Sequence, residues 1–140
     1  MAKEAPVNCI FCKIIKGEIP CQKIYENGTT FAFLDISPIN KGHTLVVPKH
    51  HCEDIMSAPE KELQDLIVVT KKLSVLIMEA VSADGINIGI NNKPAAGQVV
   101  MHTHAHIIPR FSNDGLKHWP KIDISNEEMV LIQQKIVSLL

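Results

Sequence analysis

The sequence has no excess of charge of either sign: 14 Lys and Arg stand against 15 Asp and Glu in 140 residues. That balance excludes the basic surplus on which bulk nucleic-acid binding and membrane-surface adhesion depend. No apolar run approaches the length that spans a bilayer, and the opening residues, MAKEAPVN, hold no hydrophobic leader core. The expectation is a cytoplasmic chain that engages neither nucleic acid nor membrane. Internal repeats, low-complexity tracts and linkers are missing as well, so residues 1–140 are expected to form a single domain. Cysteines are few: Cys9, Cys12, Cys21 and Cys52. In a cytoplasmic chain such residues are reduced thiols or metal ligands rather than disulfides. Cys9-x-x-Cys12 is half of a zinc site by spacing, whereas Cys21 and Cys52 read as small packing residues.

What the chain does have is patterned hydrophobicity. Residues 10–16 read as a short helical turn ended by Gly17 and Pro20. Asn27-Gly28 lies between the apolar runs 22–26 and 30–35, a strong hairpin signal. Residues 43–48 form a third strand closed by proline. Ser57 with Glu60 reads as a capping box opening a long helix that carries Leu63, Leu66, Ile67, Thr70, Leu73, Ile77 and Val81, with Gly85 at its end. Ile86, Ile88 and Ile90 alternate with polar residues as a fourth strand, and Val99 to Ile108 reads as a fifth. Ser125 with Glu128 opens a last helix bearing Met129, Ile132, Ile136 and Leu139. The tight hairpin favours an antiparallel sheet with helices on one side, an α+β domain.

The fifth strand holds the most unusual feature, His102-Thr-His104-Ala-His106. Alternation along a strand places the three imidazoles on one face with Val100 and Ile108. Two chemistries suit such a face. The rings can ligate zinc with one position left open. Alternatively, a neutral imidazole attacks an electrophile while its neighbours bind charge and move protons. A phosphate fits the second case, because it takes a nucleophile and cationic donors together. Gly97 and Gln98 precede the strand in a small-residue loop that can aim N–H groups and an amide at phosphate oxygens, although Ala-Ala-Gly also makes an ordinary turn. His43 and Asn91, at strand ends, can reach the same patch.

The segment His102-Thr-His104-Ala-His106-Ile-Ile resembles the signature of the histidine triad (HIT) superfamily. The resemblance extends through Cys9-Ile-Phe-Cys-Lys-Ile-Ile, Ala32-Phe-Leu-Asp-Ile-Ser-Pro, Gly42-His-Thr-Leu-Val-Val-Pro-Lys and Pro94-Ala-Ala-Gly-Gln, covering residues 8 to 111. It implies a HIT-like α+β fold: a five-stranded antiparallel sheet with one long helix and a C-terminal helix. It also implies a nucleotide hydrolase or transferase cleaving at the α-phosphate of purine nucleotide derivatives, either nucleoside phosphoramidates or dinucleoside polyphosphates. The reaction would pass through a covalent nucleotidyl-histidine intermediate.

Carried over residue by residue, the resemblance makes His104 the nucleophile, flanked by His106 and His43, with His102 completing the triad. Gln98, Asn91 and the Gly97 loop would orient phosphate oxygens. Asp35 would take the ribose hydroxyls, with capping of the following turn as the rival role. Ile10, Phe11, Ile14, Phe33 and Ile36 would wall the purine, with core packing as the rival. Val99 departs from the pattern, which often has a hydroxyl residue after the glutamine; a hydrogen bond is lost there, and a binding module with little catalysis becomes the alternative function. Members sharing the Cys-Ile-Phe-Cys motif resemble zinc binders. That implies a structural zinc on Cys9, Cys12, His51 and His102, with His50 competing for the place of His51. Family members usually form homodimers, so a homodimer is expected, and the 117–120 stretch is a candidate to reach the partner's site.

Overall fold

The computed structural model describes residues 6–140, so the first five residues of the opening stretch lie outside it. In chain order the elements are α1 (Ile10–Ile15), β1 (Lys23–Glu26), β2 (Thr30–Leu34), β3 (Thr44–Pro48), α2 (Glu60–Ala80), β4 (Gly85–Gly89), β5 (Ala105–Arg110) and α3 (Asn126–Ser138). The five strands make one antiparallel sheet in the order β1-β2-β3-β5-β4. The hairpin forms where Asn27-Gly28 stands. Asn27 Oδ1 accepts from the amides of Thr29 and Thr30, at 3.0 and 2.8 Å, and so closes the turn with its own side chain.

The helices do not lie on one side of the sheet. β2 (TFAFL) and β3 (TLVVP) are buried along their whole length apart from Leu34, the pattern of strands covered on both faces. Phe31, Phe33, Leu45 and Val47 pack with Phe11 and Ile14 of α1, whereas Ala32, Val46, Ala105 and Ile107 pack with Leu66, Val69, Leu73 and Ile77 of α2. α1 is only 6 residues long, so one face of the sheet is thinly covered, and the histidines lie on that face. Among the described residues no helix is long and apolar enough to cross a membrane.

Several boundaries differ from the sequence pattern. Ser57 is no cap: α2 starts after Pro59 without a side-chain cap, and Ser57 instead folds back on Asp54 in the preceding turn. The buried stripe of α2 takes Val69 in place of Ile67, which is 54% exposed. The helix stops at Ala80 because Ser82 turns left-handed (φ 54°), and Gly85 begins β4 rather than ending α2. Ser125 does cap α3, accepting from Glu128 N, yet α3 buries none of its residues. β5 is shorter than the apolar run, for a reason given below.

Ile107 is fully buried at the centre of the α2-facing core. Ile107→Ala should lower the unfolding free energy by about 2–5 kcal/mol, the cost of a buried cavity. Urea denaturation measures it, and a loss under about 1 kcal/mol would contradict this placement.

Candidate active site and metal centre

β5 pairs with β3 only from Ala105 to Ile107. Upstream the two chains part, and side chains replace the ladder. Thr103 N and Oγ1 both donate to Cys52 O, at 2.7 and 3.1 Å, and His102 meets Pro48 O at 2.8 Å. The strand expected from Val99 therefore begins only at Ala105 and runs on to Arg110, and residues 99–104 are irregular. The expected grouping of three histidines survives only in part: the rings of His104 and His106 are 4.9 Å apart, while Phe11 presents its ring edge-on to both His102 and His104.

Hydrogen bonds fix the tautomers. A carbonyl oxygen can only accept, so the 2.7 Å contact from His104 Nδ1 to His102 O places the hydrogen on Nδ1. The lone pair of His104 is thereby left on Nε2. Ile39 N–H donates to His43 Nδ1 at 3.0 Å, so His43 carries its hydrogen on Nε2 and donates it to His106 Nδ1 at 2.9 Å. His106 then holds an N–H at Nε2, a buried donor with no protein partner. Burial lowers the affinity of all three rings for a second proton, bringing His106 down to about 4. The result is one uncommitted lone pair beside one uncommitted N–H, on neighbouring neutral rings.

The alternative of a catalytic metal held by the three alternating histidines finds no geometry here, because His102 turns away from the other two. Asp35, His43 and His106 do bring ligand atoms within 4.8 Å of one another. A cation there would need the Nε2 lone pair of His43, which the Ile39 N–H denies by holding the other tautomer.

His102 faces a second cluster. Its Nε2–H is committed to Pro48 O, so Nδ1 offers its lone pair toward Cys9 Sγ (3.4 Å), Cys12 Sγ (3.6 Å) and His51 Nδ1 (3.2 Å), and Cys12 Sγ lies 3.4 Å from His51 Nδ1. Tetrahedral zinc with bonds of about 2.3 Å to sulfur and 2.0 Å to nitrogen requires S···N near ~3.6 Å and N···N near ~3.3 Å. The four residues fit that ion. Burial, reinforced by the neighbouring Cys9 thiol, pushes the Cys12 thiol up to about 12, and burial brings His102 down to about 4; a divalent cation is the charge that would draw the Cys12 proton off. His50 does not compete: its Nδ1 pairs with Glu62 at 3.0 Å, which leaves His51 turned inward.

The remaining candidates divide. Gln98 is not free to orient a phosphate. Its Nε2 donates to Glu53 O (2.6 Å) and Val100 O (3.0 Å), and its Oε1 accepts from Lys93 N (2.8 Å). Gly97, left-handed at φ 90°, and Asn91 do border the groove of about 590 Å³ that reaches His106. Val99 is 88% exposed, so its side chain points to solvent. Asp35 fills the rival role, with Oδ1 accepting from Ser37 N at 2.8 Å, while Oδ2 stands 3.7 Å from His43 Nε2. Phe11, Ile14 and Phe33 are core residues; Ile10 and Ile36 have exposed side chains to offer a ligand. Residues 117–120 line the same groove as their own chain's His106. Sequence reading missed the Pro48 and His102 carbonyls, since backbone acceptors leave no mark in residue type.

Residues 16–113 match the HIT domain model. The chain is 40% identical to the adenosine 5'-monophosphoramidase hnt1 of Schizosaccharomyces pombe, over 94% of this chain and 98% of that one. A crystal structure of a HIT family member from Bacillus subtilis superposes with a TM-score of 0.87 at 39% identity, covering 95% of this chain and 97% of that one. A zinc-bound histidine triad family protein from Mycobacterium smegmatis gives 0.76 at 35% identity, with 94% and 95% covered.

Rings whose acidity is shifted by burial couple folding to pH. With His43 and His106 held below their ordinary value, the unfolded chain binds more protons than the folded one between about pH 4 and 6.5. Their contribution to stability is present above about pH 6.5 and is lost as the pH falls through that window. The urea midpoint should be lower near pH 4.5 than near pH 7, by less in His106→Asn. An equal drop in that variant would contradict the neutral ring.

Proposed function

This chain belongs to the HIT domain family, and from that premise we propose that it is a nucleotide hydrolase acting at the α-phosphate of purine nucleotide derivatives through a nucleotide carried on His104. The observation behind this reading is the pair of neighbouring rings, one with a free lone pair at Nε2 and the other with a free N–H at Nε2. The lone pair of His104 attacks phosphorus, and the bond to the leaving group breaks. The amine or phosphate leaves with a proton taken from water, and His106 donates a hydrogen bond from Nε2–H to it as charge develops there. His43, donating to the far side of His106, holds that ring in the tautomer that can do so. Water then attacks the nucleotidyl-histidine, its proton passes to solvent, the P–N bond breaks to return the His104 lone pair, and the nucleoside monophosphate leaves. Nucleoside phosphoramidates are favoured over dinucleoside polyphosphates as substrates because the relative in Schizosaccharomyces pombe is named a monophosphoramidase.

Asn91 and the loop around Gly97 are the natural seats for phosphate oxygens, and the free oxygen of Asp35 for a ribose hydroxyl. Val99 motivates a second reading, a nucleotide-binding or partner-binding module with little catalysis, since an exposed apolar side chain there gives the phosphate no hydrogen bond. A structural zinc on Cys9, Cys12, His51 and His102 belongs to the same proposal. It would close a tetrahedral site and hold His102 beside the nucleophile. A homodimer is the proposed assembly, with Ile67, Val68, Val75 and Leu76 of α2 and Ile88 of β4 exposed as the surface it would cover. No nucleic-acid or membrane role is proposed, and the proposed location is the cytoplasm.

Incubation with an adenylated amine should release AMP, and His104→Ala should reduce that release by more than about a thousandfold while AMP still binds. Comparable turnover in His104→Ala would overturn the mechanism. Wild-type protein that binds AMP without turnover would establish the module instead. Elemental analysis of protein purified without chelators should find about one zinc per chain, falling toward none in Cys12→Ser; wild-type protein free of zinc would remove the metal from the account.

A further inference from the structure

The loop from Asn92 to Val99 is joined at three places to the turn that precedes α2, across 37 to 45 residues of sequence. Ile55 N donates to Asn92 Oδ1 at 2.9 Å. Gln98 Nε2 donates to Glu53 O at 2.6 Å while its Oε1 takes the amide of Lys93 at 2.8 Å, which closes the base of the loop. Lys93 Nζ lies 2.7 Å from Asp54 Oδ2, and the Asp54 side chain is only 3% exposed. Its other oxygen accepts from Ser57 N at 3.1 Å. Lys93 itself is left-handed at φ 74°, a conformation that costs a side-chain-bearing residue roughly 1 kcal/mol or more. Glycine would remove that strain but would also remove the cation that reaches Asp54.

Nothing in the chemistry assigned above uses Lys93, Asp54 or Asn92. The loop they restrain contains Pro94, Ala95, Ala96 and Gly97, whose side chains do little to hold it in place, and it borders the groove at His106. We propose that the Lys93–Asp54 pair, with Asn92 and Gln98, fixes this loop as a rigid wall of the groove at His106, making Lys93 and Asp54 positioning residues for the reaction. The inference rests on the hydrolase reading for its kinetic consequence but not for its structural one. Donors that face charge developing at phosphorus act only when held in place beforehand, and small displacements in such walls lower turnover more than binding.

The test compares Lys93→Met with Lys93→Arg. Lys93 is 61% exposed at its side chain, so neither change disturbs a core. Lys93→Met should lower kcat by about tenfold with KM within about twofold, and Lys93→Arg should restore most of it. Amide hydrogen exchange at residues 96–98 should quicken in Lys93→Met and not in Lys93→Arg. Unchanged kcat in an active protein would overturn the proposal, as would parallel losses of kcat and thermal stability that arginine does not rescue. If the wild-type protein turns over no adenylated substrate, the hydrolase reading fails by itself. Exchange then still decides the clamp, which unchanged rates at residues 96–98 would refute.

Discussion

The site depends on one hydrogen bond, the 2.7 Å contact from His104 Nδ1–H to the carbonyl oxygen of His102. It decides which nitrogen of His104 is bare. It forms where residues 99–104 have left the sheet, so that the His102 carbonyl is outside the β5 ladder. That departure is itself held by side chains, Thr103 on Cys52 O and His102 on Pro48 O. His102 thus acts twice: its ring joins the cysteine cluster, and its backbone sets the neighbouring ring. A metal bound by that cluster would stiffen the backbone on which the His104 tautomer rests.

The second ring pair follows the same logic from the opposite direction. The His43 tautomer is set by an amide of the 37–42 loop, and it sets that of His106 in turn. Burial keeps both rings neutral against the opposing pull of the Asp35 carboxylate, which stands 3.7 Å from His43 and is bonded to Ser37 N. An anion entering the site would raise the proton affinity of every ring it meets, strengthening the hydrogen bonds those rings donate to it.

Much of this was legible in the sequence. The Asn27-Gly28 turn and the Cys-x-x-Cys spacing each record a local rule and appear where expected, whereas of the three alternating histidines only His106 lies on the strand and His102 faces the cysteines. The failures have physical causes. Two-sided burial of β2 and β3 was visible in TFAFL and TLVVP, but the hairpin signal favoured a one-sided sheet. The Ser57–Glu60 spacing matched a cap, yet Asp54 competes for Ser57 and Pro59 takes the helix start. Gln98 looks like an anion ligand in the sequence because a loop amide beside glycine suits anions, whereas its amide closes the loop on itself. The Lys93–Asp54 and His50–Glu62 pairs left no sequence signal, because ion pairs between distant loops follow from tertiary approach alone.

The central claim is the state of a single ring, and nitrogen-15 NMR reads it directly. Long-range proton–nitrogen correlation of the His104 imidazole near neutral pH should show Nδ1 protonated and Nε2 bare, with no imidazolium. A hydrogen on Nε2, or a doubly protonated ring, would leave phosphorus without its nucleophile and contradict the account.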